Sequence, residues 1–395
     1  MVFINSTFMR KSAFYILLIM IFFSCSNQQK IELPAYLEEL DNLTVYSIDS
    51  KPKASIELVR EIVFGDTDNI VLGQTIGLVV DEDERVFITD QQSNVVHVFD
   101  SHGKYVQSFG REGRGPGEFQ NIWSIGIGDE LIHIQCNIQS LIHVFSINSF
   151  ELVHTTSLFF EDEQNSDLLG WTPNVAHVVN DQNYLVEFYQ PIFEVSDEQR
   201  AQQLYRMTSQ GELVSNLLQE FHWGGEYLTD LTIPTVVVVP YGRTTLLTVT
   251  EESFYSLWTE DLAVLKYDHD GNKLMSFYHP VQKKKLSRID VMNEIEFSND
   301  RQQQLFRNTT LPETWPAVKH FLIDDEKRFW ISTITDDLSY FEWWVLTDNG
   351  EIIDRFFWPR EKVIQFVKND KIYVLETDQE TGLDHVVRYK IILNT

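Results

Sequence analysis

Residues 79–119 read "VVDEDERVFITDQQSNVVHVFDSHGKYVQSFGREGRGPGEF", and the way this stretch folds decides the class of the protein. Apolar and β-branched residues break at the charged "DEDER" and resume at Val86. Short apolar runs around such a turn predict a β-hairpin. A second pair of runs flanks Asp100–Gly103. There Asp opens the turn by bonding its own backbone, and Gly takes the left-handed φ. The closing "FGREGRGPGEF", Phe109–Phe119, is rich enough in glycine to suggest a phosphate cradle. A dinucleotide loop, however, needs a helix after its glycines, so that the helix N-terminus meets the phosphate. After Gly117 the chain runs "EFQNIWSIGIGDELIHI", which alternates as a strand, and the Lys-Ser/Thr pair of a Walker loop is missing. The stretch therefore reads as a crossing from one sheet to the next. Its glycines supply positive φ, and Pro116 stiffens the bend.

The same hairpin recurs. Copies start at Ile76, Trp123, Ala176, Val236, Lys319 and Ile364. Most are followed by a second hairpin with a D-x-x-G-type turn, as in "VLKYDHDGNKLMSF" and "WWVLTDNGEIIDRF". Four antiparallel strands per copy and six copies predict an all-β, six-bladed β-propeller over residues 53–395. The sixth copy lacks a fourth strand, and "SIELVREIVFG" from Ser55 is expected to supply it and close the ring. From the Lys283–Lys285 run onward, Leu286, Ile289, Met292 and Ile295 fall near helical spacing. They predict a short helical insertion near 283–307, lying over the propeller.

Residues 79–119 strongly resemble an NHL-type repeat. The whole chain is similar to the six-bladed, TolB-like propeller lipoproteins common in bacteria of the Bacteroidota type. The close match covers the first blade and its exit loop, and the other five copies match in pattern. The resemblance implies a fold and a location. It implies no chemistry, because most members of that group have no assigned activity.

The start of the chain agrees with that location. Arg10 and Lys11 precede an apolar run from Ala13 to Phe23, then Ser24 and Cys25. This is the order of a secretory signal over residues 1–24, and the run is too short to span a bilayer. "IFFSC" resembles a lipobox, although Phe22 stands where leucine is usual. Cys25 is thus expected to carry lipid, with a linker over 25–52. The chain would sit in the cell envelope, on the outer membrane facing the periplasm, and touch the membrane through its anchor alone. Lipid on Cys25 leaves Cys136 without a disulfide partner. The balance of 31 Lys+Arg against 59 Asp+Glu, a net charge of −28, opposes a nucleic-acid partner.

Catalytic signatures are sparse. No H-E-x-x-H, paired C-x-x-C or G-x-S-x-G occurs. "DHDGN" at Asp268–Asn272 lacks the spaced acids of a calcium loop and reads as a turn. "HIQC" at His133–Cys136 reads as alternating strand residues, not as half a metal site. His97, His143 and His177 lie within apolar alternation and read as packed or edge histidines. Trp343 and Trp344 are adjacent in a strand and face opposite ways, so one of them is expected in the core.

Loop length points to a site. In a four-stranded blade the a–b and c–d turns share one face, and here they are short: "DEDER", "GDE", "NDQN", "DDEK", "KND". The b–c loops and blade crossings share the other face and hold most of the inserted length, "EESFYSLWTEDL" among them. Function tends to sit on loops that a rigid scaffold presents. The expected ligand-binding residues on this long-loop face are Asp90, Arg111, Arg114, Trp171, Trp223, Tyr227, Trp258 and Trp315. The turns of the opposite face look too short to form a pocket. Two readings stay open. One is a non-catalytic, monomeric protein that binds an envelope protein, peptide or glycan and uses no cofactor. The other is a lactonase-like hydrolase with a divalent metal, calcium for example, in the central channel. That enzyme would need groups such as Asp90, Asn137 and Glu187 to converge.

Overall fold

A computed structural model describes residues 33–65, 70–159, 168, 170–190, 201–223, 227–230 and 235–394. The chain divides at Leu40. In the first unit Ala35–Glu38 form a single helical turn. The second unit, Asp41–Thr395, holds the propeller.

Six antiparallel blades of four strands follow one another in strand order a-b-c-d from the axis outward, and the sheet of the fourth blade gains a fifth, parallel strand at its outer edge. Blade 1 comprises Thr75–Val80, Val86–Asp90, Val95–Phe99 and Tyr105–Phe109. Blade 2 comprises Ile122–Ile127, Leu131–Cys136, Leu141–Ser146 and Leu152–Ser157. Blade 3 comprises Thr172–Asn180, Asn183–Tyr189, Ala201–Thr208 and Gln219–His222. Blade 4 comprises Thr245–Val249, Phe254–Trp258, Leu262–Tyr267 and Lys273–His279. Blade 5 comprises Val318–Ile323, Phe329–Ile334, Tyr340–Leu346 and Ile352–Pro359. Blade 6 comprises Val363–Lys368, Lys371–Thr377 and Asp384–Asn394. Its outermost strand comes from the other end of the chain. Ser55–Phe64 runs antiparallel to Asp384–Asn394 with Val63 opposite Val387, which closes the ring as expected.

The second and third strands of each blade are largely apolar on both faces because both faces are buried between neighbouring blades. In blade 1, Phe87 packs into the cluster shared with blade 2, while Val86 and Ile88 pack against blade 6. Trp343 and Trp344 follow the same logic, and both are buried. Trp343 faces blade 6 and Trp344 faces blade 4. The expectation of one core tryptophan fails because this third strand of blade 5 has neighbouring blades on both faces and no solvent face.

The expected D-x-x-G turns form. Asp100 accepts from the backbone N–H groups of His102 and Lys104, and Gly103 stands at φ 82°. The a–b turns of blades 1 and 5 share another device. Asp81 and Asp324 each accept from the backbone N–H and the Nε of the Arg four residues on.

Three expectations are corrected. The hairpin starting at Val236 is not the start of blade 4. Thr235–Val238 pairs with Tyr227–Asp230 in a separate two-stranded ribbon, and blade 4 begins at Thr245. "EESFYSLWTEDL" is not a long loop. Phe254–Trp258 is the second strand of blade 4, since Phe254, Tyr255 and Leu257 alternate between the cores shared with blades 3 and 5. The helical insertion does not start at the lysines. It consists of Arg288–Glu294, capped by the Ser287 side chain on the N–H of Asp290, and Asp300–Asn308, capped by Asn299 on that of Gln302. Lys283 is instead half-buried against Glu260 and Asp261. The ribbon and the helices join the core of blades 5 and 6 through Val237, Val291 and Phe306. The segment expected as a linker carries the strand Leu43–Val45, which pairs in parallel with the outermost strand of blade 4.

Candidate functional site

The topology brings all eight expected binding residues to the long-loop side, but most serve the loops themselves. Asp90 is buried at the end of the second strand of blade 1. Its carboxylate accepts from the N–H groups of Gly73, Gln74 and Gln92 and from Ser93 Oγ. Burial raises its pKa, but the nearby His97 ring at 3.8 Å, the Ser93 hydroxyl and the backbone amides of Gln74 and Gly73 outweigh burial and hold it well below the usual carboxylate range. Asp90 is thus the anchor of the loop at Gly73. Trp223 and Trp315 are also buried. Trp315 lies in the core beneath the helices, and Trp223 packs its ring 4.8 Å from that of Tyr189. Trp171 is half-buried against the core of blades 2 and 3, and Trp258 is half-buried with its ring 5.0 Å from His222. Tyr227 lies in the ribbon, opposite Val238. Arg111 and Arg114 are exposed. Arg111 pairs with Glu118 at 2.5 Å, and Gly115 N–H also donates to that carboxylate. These bonds keep Glu118 more acidic than usual. Cys25 lies outside the described residues.

Asn137 and Glu187 are likewise engaged. Glu187 is buried and accepts from His177 Nε2, Gln202 Nε2 and Asn174 Nδ2. Asn174 O accepts from Gln135 Nε2, which lies 3.5 Å from Asn137 Oδ1. One amide network therefore ties the ends of blades 2 and 3 together, and Asp90 has no part in it. Among the described residues no three His, Cys, Asp or Glu side chains converge as a metal cluster. His133 and Cys136 point to opposite sides of blade 2. Burial holds His133 neutral, with its pKa lowered to about 4, and burial also pushes the Cys136 thiol up to about 12.

Two cavities stand out. One is a groove of about 570 Å³ on the long-loop side, between blades 4 and 5. The crossing at Pro280–Lys284 forms one wall, and the b–c loop at Thr335–Asp337 forms another. Its floor follows from strand register. Glu342 lies opposite Phe357, and Trp344 lies opposite Arg355, so all four share one face of blade 5. The Arg355 guanidinium lies 4.6 Å over the Trp344 ring, and the indole N–H donates to Glu342. Arg355 Nε is buried and lies 4.0 Å from Glu342 Oε1, an ion pair without a hydrogen bond, and it has no hydrogen-bond partner among the described residues. Phe357 is 64% exposed. The spacing of these residues is visible in "FEWWVL" and "DRFFW". Their convergence with the Pro280 crossing is a tertiary fact with no local signal.

The other cavity, about 560 Å³, is the central channel. All six innermost strands line it, and its rim on the short-turn side includes Thr250, Asp325 and Lys368. Short turns do not prevent a pocket on that face, because the inner strands build it. His177, on the innermost edge strand of blade 3, lines this cavity.

Antiparallel blades, closed by the N-terminal strand around an axial cavity, define a six-bladed β-propeller. A family model described as "6-bladed beta-propeller" (DUF5128) matches residues 38–229. A Bacteroides fragilis protein named as exported has a solved structure that superposes with a TM-score of 0.52 at 10% identity, over 89% of this chain and 99% of that one. A Bacteroides vulgatus member of the DUF4221 family gives a TM-score of 0.53 at 13% identity, over 86% of this chain and 99% of that one. These likenesses concern the fold. No curated protein matches the chain in sequence.

Proposed function

We propose that the protein is a non-catalytic, lipid-anchored envelope protein that binds a protein, peptide or glycan in the groove between blades 4 and 5. The observation that carries this reading is Arg355. A buried guanidinium N–H without a hydrogen-bond acceptor is costly, and this one, 4.0 Å from Glu342 Oε1 and beyond hydrogen-bond reach of it, lines a groove with the exposed Phe357 ring beside it. A ligand that brings a carbonyl, carboxylate or hydroxyl oxygen to Arg355 and an apolar group to Phe357 would satisfy both. Peptides and glycans carry such groups. The lipid on Cys25 would hold the propeller at the membrane, and the kinship of its fold with a protein named as exported supports that location. Arg111 and Arg114 add positive charge to the same face of an acidic molecule.

Components retained from envelope extract by the purified protein, identified by mass spectrometry and titrated back, test the site. Phe357→Ala and Arg355→Gln should each weaken binding by roughly tenfold, the worth of one buried contact or charged hydrogen bond. Phe357→Ala should leave the melting temperature unchanged. Undiminished affinity in both variants would remove the groove from the account.

A further inference from the structure

The central channel has a chemistry of its own, separate from the groove. Each blade contributes an apolar residue to its wall, among them Val79, Ile125, Val178, Val249, Phe321 and Val367, with Ser124 and Thr248 between them. Strands of blades 2 and 3 approach so closely that a Cβ on Gly126 would lie 2.4 Å from Val178. Into this apolar space projects His177, and the hydrogen bonds around it fix which of its nitrogens can meet a ligand. Glu187 is 6% exposed and takes its hydrogen bonds from His177 Nε2, Gln202 and Asn174. A carboxylate only accepts, so His177 Nε2 carries the proton. In the neutral ring that leaves Nδ1 as a bare acceptor. Nδ1 has no hydrogen-bond partner among the described residues and is not sealed from solvent. A buried carboxylate, with one oxygen held by two amides and the other set against one imidazole, fixes that ring's tautomer and direction.

We propose that the channel is a binding site for a small, largely apolar molecule bearing a hydroxyl group, which donates its hydrogen bond to His177 Nδ1. The apolar wall takes the body of the molecule, and the volume lies within the usual range of small-molecule sites. The polar rim at Thr250, Asp325 and Lys368 leaves room for a second polar end toward solvent. Glu187 acts as the positioning residue.

Two probes of one shape test this. 2-Naphthol carries the donor, and 2-methoxynaphthalene lacks it. Calorimetric or fluorescence titration of the full protein should show 2-naphthol bound roughly tenfold more tightly, the worth of a desolvated hydrogen bond. His177→Phe should abolish that preference while both probes still bind. Glu187→Gln should reduce the preference, because the ring is then free to take the other tautomer. In wild-type protein, one histidine ring resonance should shift on adding 2-naphthol, which needs no variant to fold. Equal binding of the two probes, preference for the methoxy compound, no binding of either, or a preference that survives in folded His177→Phe would overturn the proposal.

Discussion

Gly110 stands at φ +79°, and a Cβ there would come within 2.1 Å of the Phe119 ring, which is fully buried between blades 1 and 2. Gly110→Ala should therefore cost about 2–4 kcal/mol, from left-handed backbone strain plus overpacking. Chemical denaturation would measure it. By contrast, Arg111→Ala removes an exposed pair and should leave the melting temperature nearly unchanged. Asp90 links residue chemistry to pH. Its folded pKa lies below the unfolded value near ~3.9, so its stabilisation is complete above that value and is lost as pH falls through the lower folded pKa. Stability should drop as the solution is acidified below pH ~4, and Asp90→Asn should be less stable at neutral pH with a flatter acid profile. An unchanged profile would mean that another carboxylate governs the acid limb. At this scale the sequence is least legible. Trp223 and Trp315 look like surface aromatics by loop position, and only packing reveals them as core. His177 sits opposite Leu185 between two register shifts, one between Pro173 and Ala176 and one between Val178 and Asn180. That placement lets it reach Glu187, and no sequence pattern marks either shift.

Elements were far more legible, because period-2 apolarity and Asp-Gly turns are local. The D-x-x-G turns and the N-terminal closing strand stand where residue pattern puts them. The start of the fourth blade is not legible, because "VVVV" at Val236 is a stronger β signal than "TTLLTV", although tertiary packing gives the blade to the latter. The closing strand offers an element-scale test. Ser55–Phe64 brings the fully buried Phe64 into the core of blades 6 and 1, and Glu61 pairs with Arg388 at 3.0 Å. Deleting residues 53–64 exposes the edge of Asp384–Asn394 and opens that core. The truncated protein should lose its cooperative melt or aggregate, as followed by calorimetry. A melt like that of the parent would mean that the ring holds without its clasp. At the insertion, Ser287→Ala and Asn299→Ala should each cost about 1 kcal/mol through lost helix caps, measured by denaturant titration.

At the scale of the propeller unit, six inter-blade cores make a closed ring with two unlike faces and an axial cavity. Face assignment was legible from strand count alone, since a–b and c–d turns must share a side. Which loops build a groove was not, because the Pro280 crossing and the Asp336 loop meet only after blades 4 and 5 dock. Attachment to the membrane has its own check. Cys25→Ala should release the protein from the membrane fraction or block its processing, and normal retention would argue against a lipid anchor. The central claim is that the long-loop face, at the groove of blades 4 and 5, meets the ligand. A photo-cross-linking amino acid at position 357, compared in cells with the same group at position 326 on the short-turn face, tests it most directly. The account expects an envelope component joined through 357 and little or none through 326. Equal yields from both positions, or capture through 326 alone, would contradict it.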